Sequence, residues 1–182
     1  MIHIIDDWFQ DPRAEQDKAK AADYKDYTFE GVTWPHIGIT EDQYSIDKTS
    51  KILGFELETS FPAYYRYYEK TDSQPMFVHS DVNEGEYTVL IFLNLINIVN
   101  GLAFYEHHTG VTSATKENVN EFFKDSNNIA CWSEPVVVPA SYNRAVMFTA
   151  ADFHSRWPTN GWNIGTDTAR LVKVLFLRKK VL

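Results

Sequence analysis

From Phe55 to its C-terminus this 182-residue chain places its apolar residues in short runs with the two-residue alternation of strands. Glu86-Tyr87-Thr88-Val89-Leu90-Ile91-Phe92-Leu93-Asn94 is one such run, and Trp132-Ser133-Glu134-Pro135-Val136-Val137-Val138-Pro139 reads as another. Tyr142-Asn143 turns into a third, Arg144 to Thr149. In the last, Arg170, Val172, Val174 and Phe176 share one face, while Leu171, Lys173, Leu175 and Leu177 share the other. Phe61 to Tyr68 is dense in aromatics that favour strands. Its alternation sets Tyr65 and Tyr67 against Tyr64, Arg66 and Tyr68.

The first third is different. A short apolar strand, Ile2 to Ile5, precedes a helix opened by Asp11 as N-cap with Pro12 at its first position, expected to run to about Tyr24. Residues 25 to 44 hold Gly31, Pro35 and Gly38 and read as loops with a short strand. A second helix is expected from about Ser45 to Leu53, stopped by Gly54. A third, from Thr115 to about Phe123, lies in an insertion between strands.

The length is that of one domain with a substantial core. With 44% hydrophobic and 23% charged residues the composition is that of a globular protein, and a net charge of −8 argues against nucleic acid as a partner. The single Cys131 excludes an internal disulfide and reads as a buried, inert thiol in a reducing compartment. The start, Met1 to Asp7, has no leader pattern, and no stretch is long and apolar enough to span a bilayer, so a cytoplasmic location with no membrane partner is expected.

The chemistry concentrates at Phe77-Val78-His79-Ser80-Asp81-Val82. In extended backbone, His79 and Asp81 project from the same face. An imidazole and a carboxylate are two arms of a 2-His-1-carboxylate set, which needs one more histidine. His154 is the candidate, brought from a distant strand as a barrel would bring it. A His-x-Asp pair alone is also a common hydrogen-bonded surface feature.

In order, His79-Ser80-Asp81, the runs 86–94, 101–105 and 142–148, then His154 and Arg170 to Leu177 resemble the iron(II)/2-oxoglutarate-dependent oxygenases, most closely their prolyl-hydroxylase-like branch. The resemblance covers roughly residues 60 to 178. It implies a mainly β (α+β) fold, a double-stranded β-helix (a cupin-like jelly roll) with N-terminal helices packed outside. Residues 1–182 would form one domain, with 1–54 as helical support and 55–182 as jelly-roll core. It implies that His79, Asp81 and His154 hold Fe(II), that 2-oxoglutarate and O2 are cosubstrates, and that no catalytic side chain is needed beyond the metal ligands. The implied reaction couples decarboxylation of 2-oxoglutarate to succinate with oxidation of a substrate C–H bond, in a protein side chain, an amino acid or a small metabolite. Because Asp81 is a carboxylate, halogenation, which in related enzymes needs that ligand position vacated, is disfavoured.

Arg170 heads its strand, and Lys173 in the opposite row suggests that row is partly exposed, which would turn Arg170 inward. A buried Arg needs an anion, either an internal carboxylate or a ligand. In the resembling family a cation on this strand holds the distal carboxylate of 2-oxoglutarate, and a Tyr on the strand before His-x-Asp adds a hydrogen bond. Tyr67 matches that position best, although a Tyr cluster also serves as plain packing. Phe92 stands where some relatives carry another Tyr. The stretch between His154 and Arg170 is longer than usual in the family, so 158–165 reads as an inserted loop, and Arg156, lacking an apolar strand, is the rival anchor. Phe153, Trp157, Trp162 and residues 106–110 are expected at the pocket rim.

His107 and His108, with Glu106, could also bind metal, but neighbours on a strand point to opposite faces, so surface residence is expected. His36 reads as structural or exposed. Two other classes stay open: a cupin-like metal-binding protein without oxygenase turnover, and a non-catalytic β-sandwich interaction module.

Overall fold

The computed structural model describes residues 1–29, 32–69, 77–94, 100–158 and 169–181. Its strands are β1 (His3–Ile5), β2 (Lys25–Phe29), β3 (Val32–Ile39), β4 (Leu57–Tyr68), β5 (Tyr87–Phe92), β6 (Gly101–Phe104), β7 (Val136–Pro139), β8 (Ala145–Thr149), β9 (His154–Trp157) and β10 (Arg170–Lys179). They form two antiparallel sheets, a major one ordered β1-β8-β5-β10-β4-β3-β2 and a minor one ordered β7-β6-β9. Two facing sheets of this kind make a jelly roll.

The helices start where local chemistry directs. Asp11 accepts the Ala14 N–H at 3.0 Å and Pro12 opens α1 (Pro12–Lys20). Helix α1 ends before Tyr24, whose hydroxyl instead donates to the Ala19 carbonyl at 2.7 Å. Asp42 caps α2 (Gln43–Leu53) through the Ser45 N–H, and Gly54 closes it with φ 80°, a left-handed turn that glycine adopts without strain. The third helix, α3 (Val119–Phe123), begins after Asn118, later than Thr115. Residues 25–39 form a hairpin, β2–β3, that extends the major sheet beside β4, so the N-terminal third supplies strands as well as helices.

Alternation along the major sheet sorts the core into two layers. Val89 and Ile91 of β5, Leu171 and Leu175 of β10, and Met147 of β8 pack outward against Trp8, Ala19 of α1 and Ile46 of α2. Leu90, Phe92, Val172, Val174, Phe176, Val146 and Phe148 point the other way, onto Leu102, Phe104 and Val138 of the minor sheet. Each fully buried aliphatic or Phe side chain contributes roughly 1.5–3 kcal/mol, and the inner layer is where the fold draws its sheets together. Gly101 is required where β6 runs beside β7, because a Cβ there would collide with the Val138 carbonyl of that neighbouring strand.

Lys173 lies on the outward row, yet it is not exposed. It is 2% accessible, and its ammonium meets Glu15 of α1 at 2.5 Å and the α2 cap Asp42 at 2.7 Å. The expectation of a partly exposed row was wrong because two helices cover it. Arg170 does face inward, opposite to them. No helix among the described residues is long and apolar enough to cross a membrane.

Candidate metal centre and anion pocket

His79 and His154 are joined by the backbone itself. The His79 N–H donates to the His154 carbonyl at 3.0 Å and the His154 N–H returns the bond at 2.9 Å, so the start of β9 carries the His79 segment at its edge. His79 is held in this one bridge rather than in the extended strand expected, and the chain turns after Asp81, whose carbonyl accepts the Glu84 N–H at 2.8 Å. The Asp81 N–H reaches the Ala150 carbonyl at 2.8 Å, and the Ser80 hydroxyl bonds the carbonyls of Ala150 and Ala151. This stitching to the end of β8 sets the two halves of the site at fixed distance.

The three side chains converge. Asp81 Oδ2 lies 3.2 Å from His154 Nε2, and Oδ1 lies 3.7 Å from His79 Nε2. One ligand atom from each of His79, Asp81 and His154 lies within 4.8 Å of the others. His154 Nδ1 donates to the Asp152 carbonyl at 2.8 Å and His79 Nδ1 faces the Phe77 carbonyl at 3.4 Å, which leaves both Nε2 atoms turned to the centre. Thr88 of β5 donates its hydroxyl to Asp81 Oδ2 at 3.2 Å.

Electrostatics match a cation site. Burial, reinforced by the neighbouring His154, lowers His79 to about 4, so its imidazole is neutral at pH 7. Burial would push Asp81 up, but the two histidines and the Thr88 hydroxyl outweigh it and hold the carboxyl below its usual value. Burial likewise opposes charge on His154, yet Asp81 raises its pKa. A carboxylate and two imidazoles whose Nε2 atoms face one centre are a donor set that fits iron(II).

Deeper between the sheets lies a pocket of three arginines. Arg170 is 1% accessible, and its guanidinium stacks 5.0 Å from the Tyr68 ring and 5.3 Å from the Phe92 ring. The Tyr68 ring also carries Arg66 at 4.3 Å and Arg156 at 4.7 Å. Arg170 Nη2 makes a long 3.4 Å bond to the Gly101 carbonyl, while its Nε and Nη1 are buried without a hydrogen-bond partner among the described residues. Burial pushes Arg170 down to about 10, Tyr68 opposing this and Arg156 and Arg66 adding to it. Burial alone would raise the Tyr68 hydroxyl, but Arg66, Arg170 and Arg156 together hold it below its ordinary value. Buried N–H groups without acceptors cost about 1–3 kcal/mol each, a cost that a bound anion would remove.

Strand register corrects one assignment. In the β4–β10 pairing Arg170 sits opposite Tyr68 and Val172 opposite Arg66, whereas Tyr67 sits opposite Leu171 and Tyr65 opposite Lys173. Tyr67 therefore points to the helix layer, stacked on His36 at 4.1 Å and edge-on to Tyr24 at 4.7 Å. Tyr68 takes the place expected of Tyr67. Arg66 and Tyr68 were legible as sharing a face, and the cation in that row was the missed signal. Arg156, discounted for want of a strand, is placed by β9 and is 6% accessible. Trp34 of β3 links the two regions, with Arg66 5.2 Å over its ring and His79 6.1 Å away.

Other expected residues fall elsewhere. Phe153 is not at a rim but in the core, 1% accessible between Trp132 and Phe122. Trp157 packs half-buried on the same cluster. Trp162 and the loop 159–165 lie outside the described residues.

Neither family models nor curated proteins match this sequence. Solved structures do match in fold. The likeness to an oxidoreductase of the 2OG-Fe(II) oxygenase family from Burkholderia pseudomallei has a TM-score of 0.59 at 12% identity, over 97% of this chain and 84% of that one. SnoK, a non-haem α-ketoglutarate-dependent carbocyclase from nogalamycin biosynthesis, gives 0.60 at 13% identity, over 97% and 79%. HygX from Streptomyces hygroscopicus, with nickel, 2-oxoglutarate and hygromycin B bound, gives 0.59 at 10% identity, over 97% and 82%. The chain thus has the jelly-roll fold of the 2OG-Fe(II) oxygenases.

Proposed function

We propose that this chain is a non-haem iron(II)- and 2-oxoglutarate-dependent dioxygenase working as a hydroxylase. The observation that carries the reading is the conjunction of the His79-Asp81-His154 donor set with the unpartnered, buried N–H groups of Arg170 in one jelly roll. The two histidines and Asp81 would hold iron(II), and Arg170, supported by Tyr68, would hold the distal carboxylate of 2-oxoglutarate. When bound, the iron and the cosubstrates supply oxidative decarboxylation to succinate and CO2, coupled to oxidation of a substrate C–H bond.

The chain's own residues bind, orient and exclude water. Backbone carbonyls fix the tautomers of both imidazoles, Thr88 steadies Asp81, and Phe148 packs its edge against the His154 ring at 4.7 Å. Phe92 offers no hydroxyl to the carboxylate, so anchoring rests on Arg170 and Tyr68. The proposed substrate is a peptide, an amino acid or a small metabolite; HygX has hygromycin B bound beside 2-oxoglutarate and nickel.

Anaerobic addition of iron(II) and 2-oxoglutarate should produce the weak visible charge-transfer band of the chelated cosubstrate. Iron binding without that band would leave a metal-binding jelly roll and end the oxygenase reading. Arg170→Ala should keep iron but raise the 2-oxoglutarate concentration for half-maximal succinate formation strongly, since truncating one side of a buried charge pair costs on the order of 2–5 kcal/mol. Arg170→Lys should lose less, because the charge stays and only the fork goes. Arg156→Ala, which removes a guanidinium from the same Tyr68 ring, should raise that concentration less than Arg170→Ala does. A crippled Arg156→Ala beside a near-normal Arg170→Ala would reverse the assignment of the anchor.

A further inference from the structure

A second cluster of ligand-type side chains lies in the segment between β6 and β7, apart from the triad. We propose that His107, His108, Asp125 and Cys131 form a structural metal site suited to zinc(II), which ties the insertion of residues 106–131 into one unit. One ligand atom from each of the four lies within 4.8 Å of the others. Around tetrahedral zinc, with bonds of about 2.0–2.3 Å, ligand atoms stand roughly 3.3–3.8 Å apart, so small side-chain rotations close the shell.

The backbone here removes the obstacle to a vicinal His pair. The chain turns directly after the histidines, with the Gly110 N–H on the His107 carbonyl at 2.8 Å and Gly110 at φ +83°. The two rings consequently lie on one side, their centroids 4.2 Å apart. The His108 N–H donates to the Cys131 carbonyl at 2.7 Å, which draws the 3-10 turn at Ile129–Cys131 up to the pair. Asp125, just past α3, completes the set.

Supporting contacts have the form that metal ligands use. His107 is 5% accessible, wedged between Trp132 at 4.9 Å and Phe122 at 5.1 Å. Its Nδ1 lies 2.9 Å from the Thr109 hydroxyl, and its Nε2 faces Asp125 Oδ2 at 3.3 Å. With Nδ1–H donated to Thr109, the Nε2 lone pair points into the cluster. Asn128 Nδ2 donates to Cys131 Sγ at 3.1 Å, an outer bond that stabilises a thiolate.

Charge and softness select the ion. One thiolate, one carboxylate and two neutral imidazoles carry two negative charges, matched by a divalent cation. Sulfur and nitrogen donors favour zinc over calcium or magnesium. Four protein ligands leave no open position, so the role is structural. The segment it would brace packs through Trp132 and Phe122 on Phe153, the residue before His154.

Cobalt(II) alone is the probe, added anaerobically to the reduced protein without 2-oxoglutarate. The site predicts a near-ultraviolet thiolate-to-cobalt band with intense tetrahedral visible bands, displaced by zinc(II). His154→Ala should keep the thiolate band, because the triad contains no sulfur. Cys131→Ser should abolish it. His108→Ala, which removes an exposed ring, should weaken cobalt binding at this band by at least about tenfold, the loss seen even for outer-shell partners. Absence of the band in the wild-type protein, or its survival in Cys131→Ser, would overturn the site. An unchanged affinity in His108→Ala would do the same for the four-ligand assignment.

Discussion

Asp81→Ala should bind no iron(II) at micromolar metal. Its carboxylate supplies the negative charge of the trio, with two imidazole Nε2 atoms 3.2 Å and 3.7 Å from its oxygens. Without it, two neutral donors remain, and burial alone already disfavours a cation there. Changing an outer-shell partner costs about 10–100-fold in affinity, and a direct ligand costs more. The fold should survive, because the bonds that place this turn are backbone bonds from Asp81 to Ala150 and Glu84, which alanine keeps. His79→Ala and His154→Ala should lose iron in the same way. The His154 change alone should also lower stability, since its ring packs against Phe148 in the inner core. Iron retained after anaerobic desalting, measured by elemental analysis, with circular dichroism as the fold control, decides the matter. Iron that survived these changes but vanished in His107→Ala or His108→Ala would move the iron site to the other cluster.

Lys173→Met should destabilise the outer layer by about 3–5 kcal/mol at neutral pH, as when one partner of a buried ion pair is removed. Its ammonium is shared by Glu15 and Asp42, which join β10 to α1 and to the cap of α2. Glu15 also accepts the Tyr65 hydroxyl at 2.6 Å. Burial would raise the Glu15 carboxyl, but Lys173 and Tyr65 overcome it, so its folded pKa lies below the ordinary value. A lowered folded pKa means that this stabilisation is present above the unfolded pKa and fades as pH falls through the folded one. In Lys173→Met the largest part of that lowering is gone, and burial favours the proton on the Glu15 carboxyl. The deficit against wild type should therefore be largest near neutrality and shrink as pH drops through the ordinary carboxylate range. Urea unfolding at neutral and mildly acidic pH measures it. A deficit that grew on acidification would show that the pair does not carry the stability assigned to it.

Much of this molecule is local chemistry and could be read from the chain. The Asp11 cap, the Gly54 stop and the strand runs after Phe55 follow from capping, backbone freedom and a two-residue period. The jelly roll, and the meeting of His79, Asp81 and His154 in it, were legible because His79-Ser80-Asp81, His154 and Arg170 come in a recognisable order. The β2–β3 hairpin was hidden, because Gly and Pro in a strand-forming stretch look like loops until a neighbour, here β4, takes up the edge. Strand β9 was hidden for a similar reason, being four residues that pair only with β6 and, through His154, with His79.

Alternation along a strand determines which residues travel together, and on that point the chain was sufficient: Arg66 with Tyr68, Tyr65 with Tyr67, Arg170 apart from Lys173. It does not determine which row meets ligand, because that depends on what covers each face. Helices α1 and α2 bring Glu15 and Asp42 to the Lys173 row, making a buried cation comfortable where exposure was the natural expectation. The same packing carries Tyr67 toward the helices and leaves Tyr68 among three guanidiniums. The His107–His108 pair shows the same limit, since a strand would have split the rings and only the turn at Gly110 sets them side by side. A period is a property of neighbours in sequence, whereas the partner of a buried charge comes from whichever element packs over it, and only the assembled layers bring that element into place.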